Sequence, residues 1–219
     1  MNNFVEFRKF DKTEILLKEG KFAEAIDYCL KNIAKRKDDS DLYNILGVCY
    51  TKYDKFPQAI TALEYAIKLN PDISQYYINL AKVYLYLDNH AKIVGICRNI
   101  LSIDCMSIDA YIILAKTYYK NNNFLRAEIN ARKILILDSQ NAFGYYLMAN
   151  IADHKNNIDE AINYYRQSLN YDLNLTKSSK RLGILLFKIV KYDESIKYLR
   201  NILSDSPNDF FTLQTLADC

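Results

Sequence analysis

Tyr43-Asn44-Ile45-Leu46-Gly47-Val48-Cys49-Tyr50 decides the fold of this chain. Tyr43, Leu46, Gly47 and Tyr50 stand at i, i+3, i+4 and i+7, which is one face of an amphipathic helix. The segment that follows, Ala59-Ile60-x-x-Leu63-x-x-Ala66-Ile67, has the same spacing. Steps of 34 residues find the pattern again along the chain. With repeats starting at 6, 40, 74, 108, 142, 176 and 210, the eighth position reads Thr13, Gly47, Ala81, Ala115, Ala149, Gly183 and Ala217. The twentieth reads Ala25, Ala59, Ile93, Ala127, Ala161 and Ser195. Pro71 and Pro207 both occupy position 32, and no insertion breaks the register. A fixed period of roughly 20 to 50 residues is the signature of a solenoid or array.

The periodicity predicts two amphipathic helices per repeat. Gly or Ala at positions 8 and 20 lets the pair approach closely, and a larger side chain there overpacks the contact at a cost of about 1 to 3 kcal/mol. Turn signals separate the helices: Tyr53-Asp54-Lys55, Asp88-Asn89, Asn121-Asn122-Asn123, Asn156-Asn157 and Lys191-Tyr192-Asp193. Asn and Asp tolerate left-handed backbone and hydrogen-bond it locally. Asn70-Pro71 and Ser206-Pro207 end second helices, because the residue before a proline is driven out of the helical region. A lone repeat cannot bury its apolar face, so stability comes from stacking on neighbours.

The second repeat, with Tyr43, Leu46, Gly47, Tyr50, Ala59, Leu63, Ala66 and Pro71, resembles the tetratricopeptide repeat pattern W-x2-L-G-x2-Y, A-x3-F and P. Tyr replaces Trp and Leu replaces Phe. Tyr77, Tyr111 and Tyr145 keep the first aromatic position, and Tyr84 and Tyr118 the second. The resemblance implies an all-α, right-handed α-solenoid of about six 34-residue helix-turn-helix repeats plus the start of a seventh. As one domain over 1–219, the repeats would be 6–39, 40–73, 74–107, 108–141, 142–175, 176–209 and a partial 210–219. It also implies a protein that binds other proteins or peptides.

Composition narrows the classes. Charged residues are 25% and the net charge is +3, too mild to name a nucleic-acid or membrane partner. Lys31, Lys35, Arg36 and Lys37 form a basic cluster, but Asp38, Asp39 and Asp41 follow at once. Lys177, Lys180 and Arg181 form a second, and two short clusters do not make the sustained stripe that phosphate binding requires. No N-terminal segment has the order of a signal peptide, and no apolar run is long enough to span a bilayer. The five cysteines, Cys29, Cys49, Cys97, Cys105 and Cys219, read as thiols in a reducing compartment, four of them at helical repeat positions, so a cytoplasmic location is expected.

No active-site pattern emerges, and a non-enzyme without cofactor or metal is expected. His90, at position 17, reads as a packing residue at the helix turn, and His154 as solvated. No C-x2-C pair and no glycine-rich nucleotide loop occurs. Asp38-Asp39 and Asp159-Glu160 lie at repeat junctions or helix starts, where they complement the helix dipole.

The resemblance implies that first helices line a concave groove, with positions 2, 5, 9, 12 and 13 pointing into it. Carried over by position, partner-binding residues would be Ile78, Lys82, Leu85, Tyr86, Ile112, Lys116, Tyr119, Tyr146 and Asn150, with Phe143 added by the fifth repeat and Lys177, Lys180 and Arg181 by the sixth. An apolar and aromatic strip bordered by cations suits a peptide or helix with acidic and apolar residues. The carboxylate clamp of one family subclass is incomplete here. Lys177 and Arg181 match it, Ile112 and Leu147 do not, and Lys116 replaces an Asn.

The functional expectation is a scaffold or adaptor in complex assembly. The alternatives are a targeting region of a longer protein with a catalytic or assembly part beyond Cys219, and a self-assembling scaffold. The polar first repeat, with Lys9, Lys12 and Thr13 at otherwise apolar positions, reads as a cap. Phe210, Phe211, Leu213, Leu216 and Ala217 begin a first helix whose second helix is missing, which reads as the front of a longer protein.

Overall fold

The computed structural model describes residues 12–205 and 210–217, and the expectations for Lys9, Pro207 and Cys219 lie outside them. Every regular element among the described residues is helical: α1 (12–18), α2 (Phe22–Ile33), α3 (Ser40–Lys52), α4 (Phe56–Leu69), α5 (Ser74–Tyr86), α6 (His90–Ile103), α7 (Ile108–Lys120), α8 (Phe124–Leu137), α9 (Ala142–His154), α10 (Ile158–Tyr171), α11 (Thr176–Lys188), α12 (Tyr192–Asp205) and α13 (Phe210–Ala217). They pair as hairpins in chain order, α3 with α4, α5 with α6, α9 with α10 and α11 with α12. The helices gather into two compact bodies, Met1–Ile113 and Leu114–Cys219, divided within α7.

The small positions are the hairpin contacts. Ala25, Ala59, Ile93, Ala127, Ala161 and Ser195, all at position 20, are fully buried. At position 8, Ala81, Ala115 and Ala149 are fully buried and Thr13 is nearly so. A Cβ placed on Gly47 would stand 2.5 Å from Leu63 Cγ, and one on Gly183 would stand 2.6 Å from Leu199 Cδ2. Position 8 of the first helix therefore meets position 24 of the second, and the two hairpins with Leu at position 24 need Gly opposite it.

One conformational feature recurs at position 15. Gly20, Asp54, Asp88, Asn122, Asn156 and Val190 all have positive φ, between 54° and 72°. This left-handed residue turns the chain from the first helix into the second, and Gly, Asn and Asp are the residues that adopt it readily. In the sixth repeat the sequence points to Lys191-Tyr192-Asp193, but the turn residue is Val190 and α12 has already begun at Tyr192. A β-branched residue carries the largest penalty in this region, so no compositional cue marked it.

Helix starts are capped by side chains at several repeats. Asp39 Oδ1 accepts from Leu42 N, Asn89 Oδ1 from Lys92 N, Asn123 Oδ1 from Arg126 N and Asn141 Oδ1 from Gly144 N. Asp159 and Glu160 occupy the first turn of α10, where they complement its dipole. Asn70 is extended at the end of α4, as the following Pro71 demands.

Each body contains an apolar cluster. In the first body Leu16, Ala25, Ile26, Cys29, Leu46, Cys49 and Ala62 pack together. In the second, Ala149, Ala161, Tyr165, Leu169, Leu182, Leu185 and Leu186 do so. Cys29, Cys49 and Cys97 are buried, and Cys105, at position 32 of its repeat, is exposed in the connection between α6 and α7.

Candidate functional site

The residues expected to bind a partner fall in both bodies. In the first, Ile78 is buried, Leu85 and Ile112 are half-buried, Lys82 is exposed, and Tyr86 is two-thirds exposed. Tyr86 stacks on Phe56, with ring centroids 5.6 Å apart and planes inclined by 20°. This pairing holds the Tyr86 ring at the end of α5 against the start of α4.

The second body presents the denser group. Phe143, on the first turn of α9, lies 5.2 Å from Tyr146, centroid to centroid, and Lys116 Nζ stands 4.5 Å over the Phe143 ring. Tyr146 is half-buried and 6.3 Å from Tyr165. Tyr165, fully buried, donates its hydroxyl hydrogen to Asn150 Oδ1 at 2.8 Å. Asn150 is thus engaged beneath the surface, where it orients Tyr165 and has little area to offer a ligand. Leu147 is also buried.

Tyr119 is half-buried and packs edge-on against Phe124, centroids 5.6 Å apart. His154 is exposed, as expected, and also stacks on Phe124 with ring centroids 3.8 Å apart. Burial raises the Tyr119 hydroxyl above its ordinary pKa, and the positive charge of Arg181 opposes that rise. Burial also pushes Tyr165 up, with Asp153 adding to the effect and Arg181 again opposing it. Both phenols are therefore neutral hydrogen-bonding groups at physiological pH, and the Arg181 charge reaches them.

Helix α11 supplies the cations. Lys177, Lys180, Arg181, Ile184 and Lys188 recur at three- and four-residue spacing along it, and with Tyr146 they line a cleft of about 550 Å³. The helix, Thr176–Lys188, contains no acidic residue. Lys177 and Arg181 are exposed. The arrangement is an aromatic wall with a cationic edge, suited to holding carboxylates beside apolar side chains. Sequence spacing missed Ile184 and Lys188, although both continue the i, i+3, i+4 progression from Lys177.

No helix among the described residues is long and apolar enough to cross a membrane. No group of three or more His, Cys, Asp or Glu that could hold a metal occurs among the described residues.

Residues 144–175 match the tetratricopeptide repeat family model. No curated protein sequence matches the chain. Among solved structures, it is similar to the APC/C hetero-tetramer Cut9–Hcn1, with a TM-score of 0.79 at 16% identity, covering 92% of this chain and 40% of that one. It is also similar to a thermophilic TPR protein of Thermus thermophilus, with a TM-score of 0.67 at 16% identity, over 82% of this chain and 97% of that one. A third is YrrB, a TPR protein with an unusual peptide-binding site, with a TM-score of 0.58 at 13% identity, over 85% of this chain and 96% of that one. At such identities the likeness is one of fold, and this chain spans well under half the length of the chain it matches in the Cut9–Hcn1 structure.

Proposed function

We propose that this chain, which has the tetratricopeptide-repeat fold and matches the family model over residues 144–175, is a non-catalytic scaffold that recruits a partner protein through a peptide or helix bearing acidic and apolar residues. Repeat proteins of this kind mediate protein–protein interaction, and no catalytic domain is evident among the described residues. The observation that carries the reading is the cleft of the second body, where Tyr146 and Ile184 offer apolar surface and Lys177, Lys180, Arg181 and Lys188 offer charge. Carboxylates of the ligand would pair with Lys177 and Arg181, and its apolar side chains would lie along Tyr146 and Phe143. The peptide-binding site of the similarly folded YrrB is consistent with a peptide as ligand.

The test is affinity capture from native lysate with the wild-type chain and a Lys177→Glu/Arg181→Glu variant side by side. Both residues are exposed, so the variant folds, which circular dichroism verifies. A partner captured by the wild type and lost by the variant supports the cleft. A partner kept by both places the interface elsewhere and refutes this reading.

A further inference from the structure

The outward face of α8 differs from that of every other second helix. Ala127, Ala131 and Ile134 are fully buried, and diametrically opposite them stand Leu125, Ile129 and Ile136, exposed by 70%, 59% and 74%. The stripe runs along roughly 16 Å of helix at 1.5 Å per residue. Repeat register supplies the internal control. The equivalent residues are Ala23, Asp27 and Ala34 in the first repeat, Pro57, Thr61 and Lys68 in the second, and Ala91, Gly95 and Ser102 in the third. They are Asp159, Asn163 and Asn170 in the fifth and Asp193, Lys197 and Ser204 in the sixth. Small or polar residues suffice at these positions, so folding does not call for the three large aliphatic side chains of the fourth repeat.

Charges frame the stripe unevenly. On one flank Glu128 accepts from Arg132 Nε at 2.9 Å and Nη2 at 2.7 Å, and from Lys155 Nζ at 2.5 Å, while Glu160 acts electrostatically on Arg132. That flank is balanced, with the Arg132 guanidinium held by Glu128. The opposite flank carries Arg126, whose guanidinium lies 5.5 Å over the Tyr118 ring, and Lys133, one turn apart from the centre on either side.

We infer that the outward face of α8 is a second docking surface, and that its occupant is an amphipathic helix with an aliphatic stripe and an acidic flank. The aliphatic side chains of that helix cover Leu125, Ile129 and Ile136, and its carboxylates face Arg126 and Lys133. A second copy of this chain fits less well. Antiparallel pairing across a twofold axis sets the Arg126–Lys133 flank against itself, and parallel pairing sets it against the balanced flank. The surface lies on a second helix and is independent of the α11 cleft, so either can fail without the other.

The probe is a fluorescein-labelled synthetic helix of about four turns, with Leu at i, i+4, i+7 and i+11 and Glu along one flank, beside a twin with Lys in place of Glu. Fluorescence anisotropy should show the acidic helix binding the full chain at least about ten-fold more tightly than its twin. A Leu125→Asp/Ile129→Asn/Ile136→Asn variant, which takes the residues of the fifth repeat at those positions, should weaken binding by about ten-fold or more. An Arg126→Glu/Lys133→Glu variant should reverse the preference toward the Lys-flanked twin, and every comparison is made in the Lys177→Glu/Arg181→Glu background, which silences the α11 cleft whose ligand class the acidic helix shares. Equal binding of the two helices, or undiminished binding to the triple variant, overturns the proposal. Light scattering that shows a dimer abolished by the triple substitution overturns it in favour of a second copy. Flotation with phosphatidylserine vesicles that the triple variant loses, without binding to either helix, overturns it in favour of a lipid surface.

Discussion

Gly47→Ala tests the reasoning about the hairpin contact most directly. On an exposed helix the substitution stabilises by about 0.5 to 1 kcal/mol, because alanine loses less backbone entropy than glycine. Here the new Cβ would lie 2.5 Å from Leu63 Cγ, 2.8 Å from Leu63 Cδ2 and 3.3 Å from the Ala59 carbonyl oxygen. Leu63 is fully buried, and its Cγ is the branch point of the side chain, so no swing of a distal methyl relieves the contact. Overpacking of a filled core costs about 1 to 3 kcal/mol, which leaves a net destabilisation centred on ~1 kcal/mol, within bounds of about 0 and 2.5 kcal/mol, after the propensity gain. The third repeat shows the remedy, since it places fully buried Ala81 and Cys97 at the same two register positions. Leu63→Cys alone should destabilise by removing core volume. The Gly47→Ala/Leu63→Cys double variant should be more stable than the sum of the two single effects by about 1 to 2 kcal/mol. Urea unfolding followed by circular dichroism supplies the four stabilities, and hydrogen exchange in α3 and α4 localises them. A Gly47→Ala variant more stable than the wild type, as on an exposed helix, or strictly additive substitutions, would refute the size-matched contact.

Val190→Asn should raise stability by about 1 kcal/mol and the melting temperature by about 2 to 4 °C, because it relieves a β-branched residue of left-handed backbone at φ +64° while its side chain, 66% exposed, gives up little packing. Calorimetry checks this, and an unchanged or lower melting temperature counts against it. Alkaline pH should also destabilise the chain. Burial pushes the Cys97 thiol from an ordinary 9.0 up to about 12, so the stability it contributes is complete below pH 9 and is lost as pH rises toward 12. The slope is about 1.4 kcal/mol per pH unit for such a group. Tyr76, raised to about 12 by burial and by its bond to Asp41, adds to the loss above pH 10. Unfolding free energies measured between pH 8 and 11 should therefore fall less steeply in Cys97→Ala, and parallel curves would show that Cys97 titrates as an exposed thiol.

The helical register was legible because it rests on local chemistry. Small residues at positions 8 and 20 and Asn or Asp at position 15 announce close contacts and turns wherever they recur. Val190 escaped because its conformation is imposed by the hairpin around it and not by its own preference. For the candidate site, helical spacing gave the face of each first helix but not which side chains its neighbours would cover. Asn150 is claimed by Tyr165 on the following helix, and Ile78 is shut away from solvent, contacts that no spacing within one repeat contains. His154 likewise met Phe124 only through the fold. The α8 stripe occupies register positions 18, 22 and 29, which the helical period of the buried face does not include.

The left-handed residue at position 15 and the fully buried residue at position 20 are five residues apart in all six repeats. Each residue added between them would rotate the remainder of the second helix by about 100°. A single inserted codon there would carry the buried Ala or Ser toward solvent and drive a bulky neighbour into the hairpin. The interval acts as a phase lock on the length of the gene, one that tolerates exchange of residues but not change in their number. Length variation among relatives of this chain should accordingly collect in the connections between repeats and spare the turns within them.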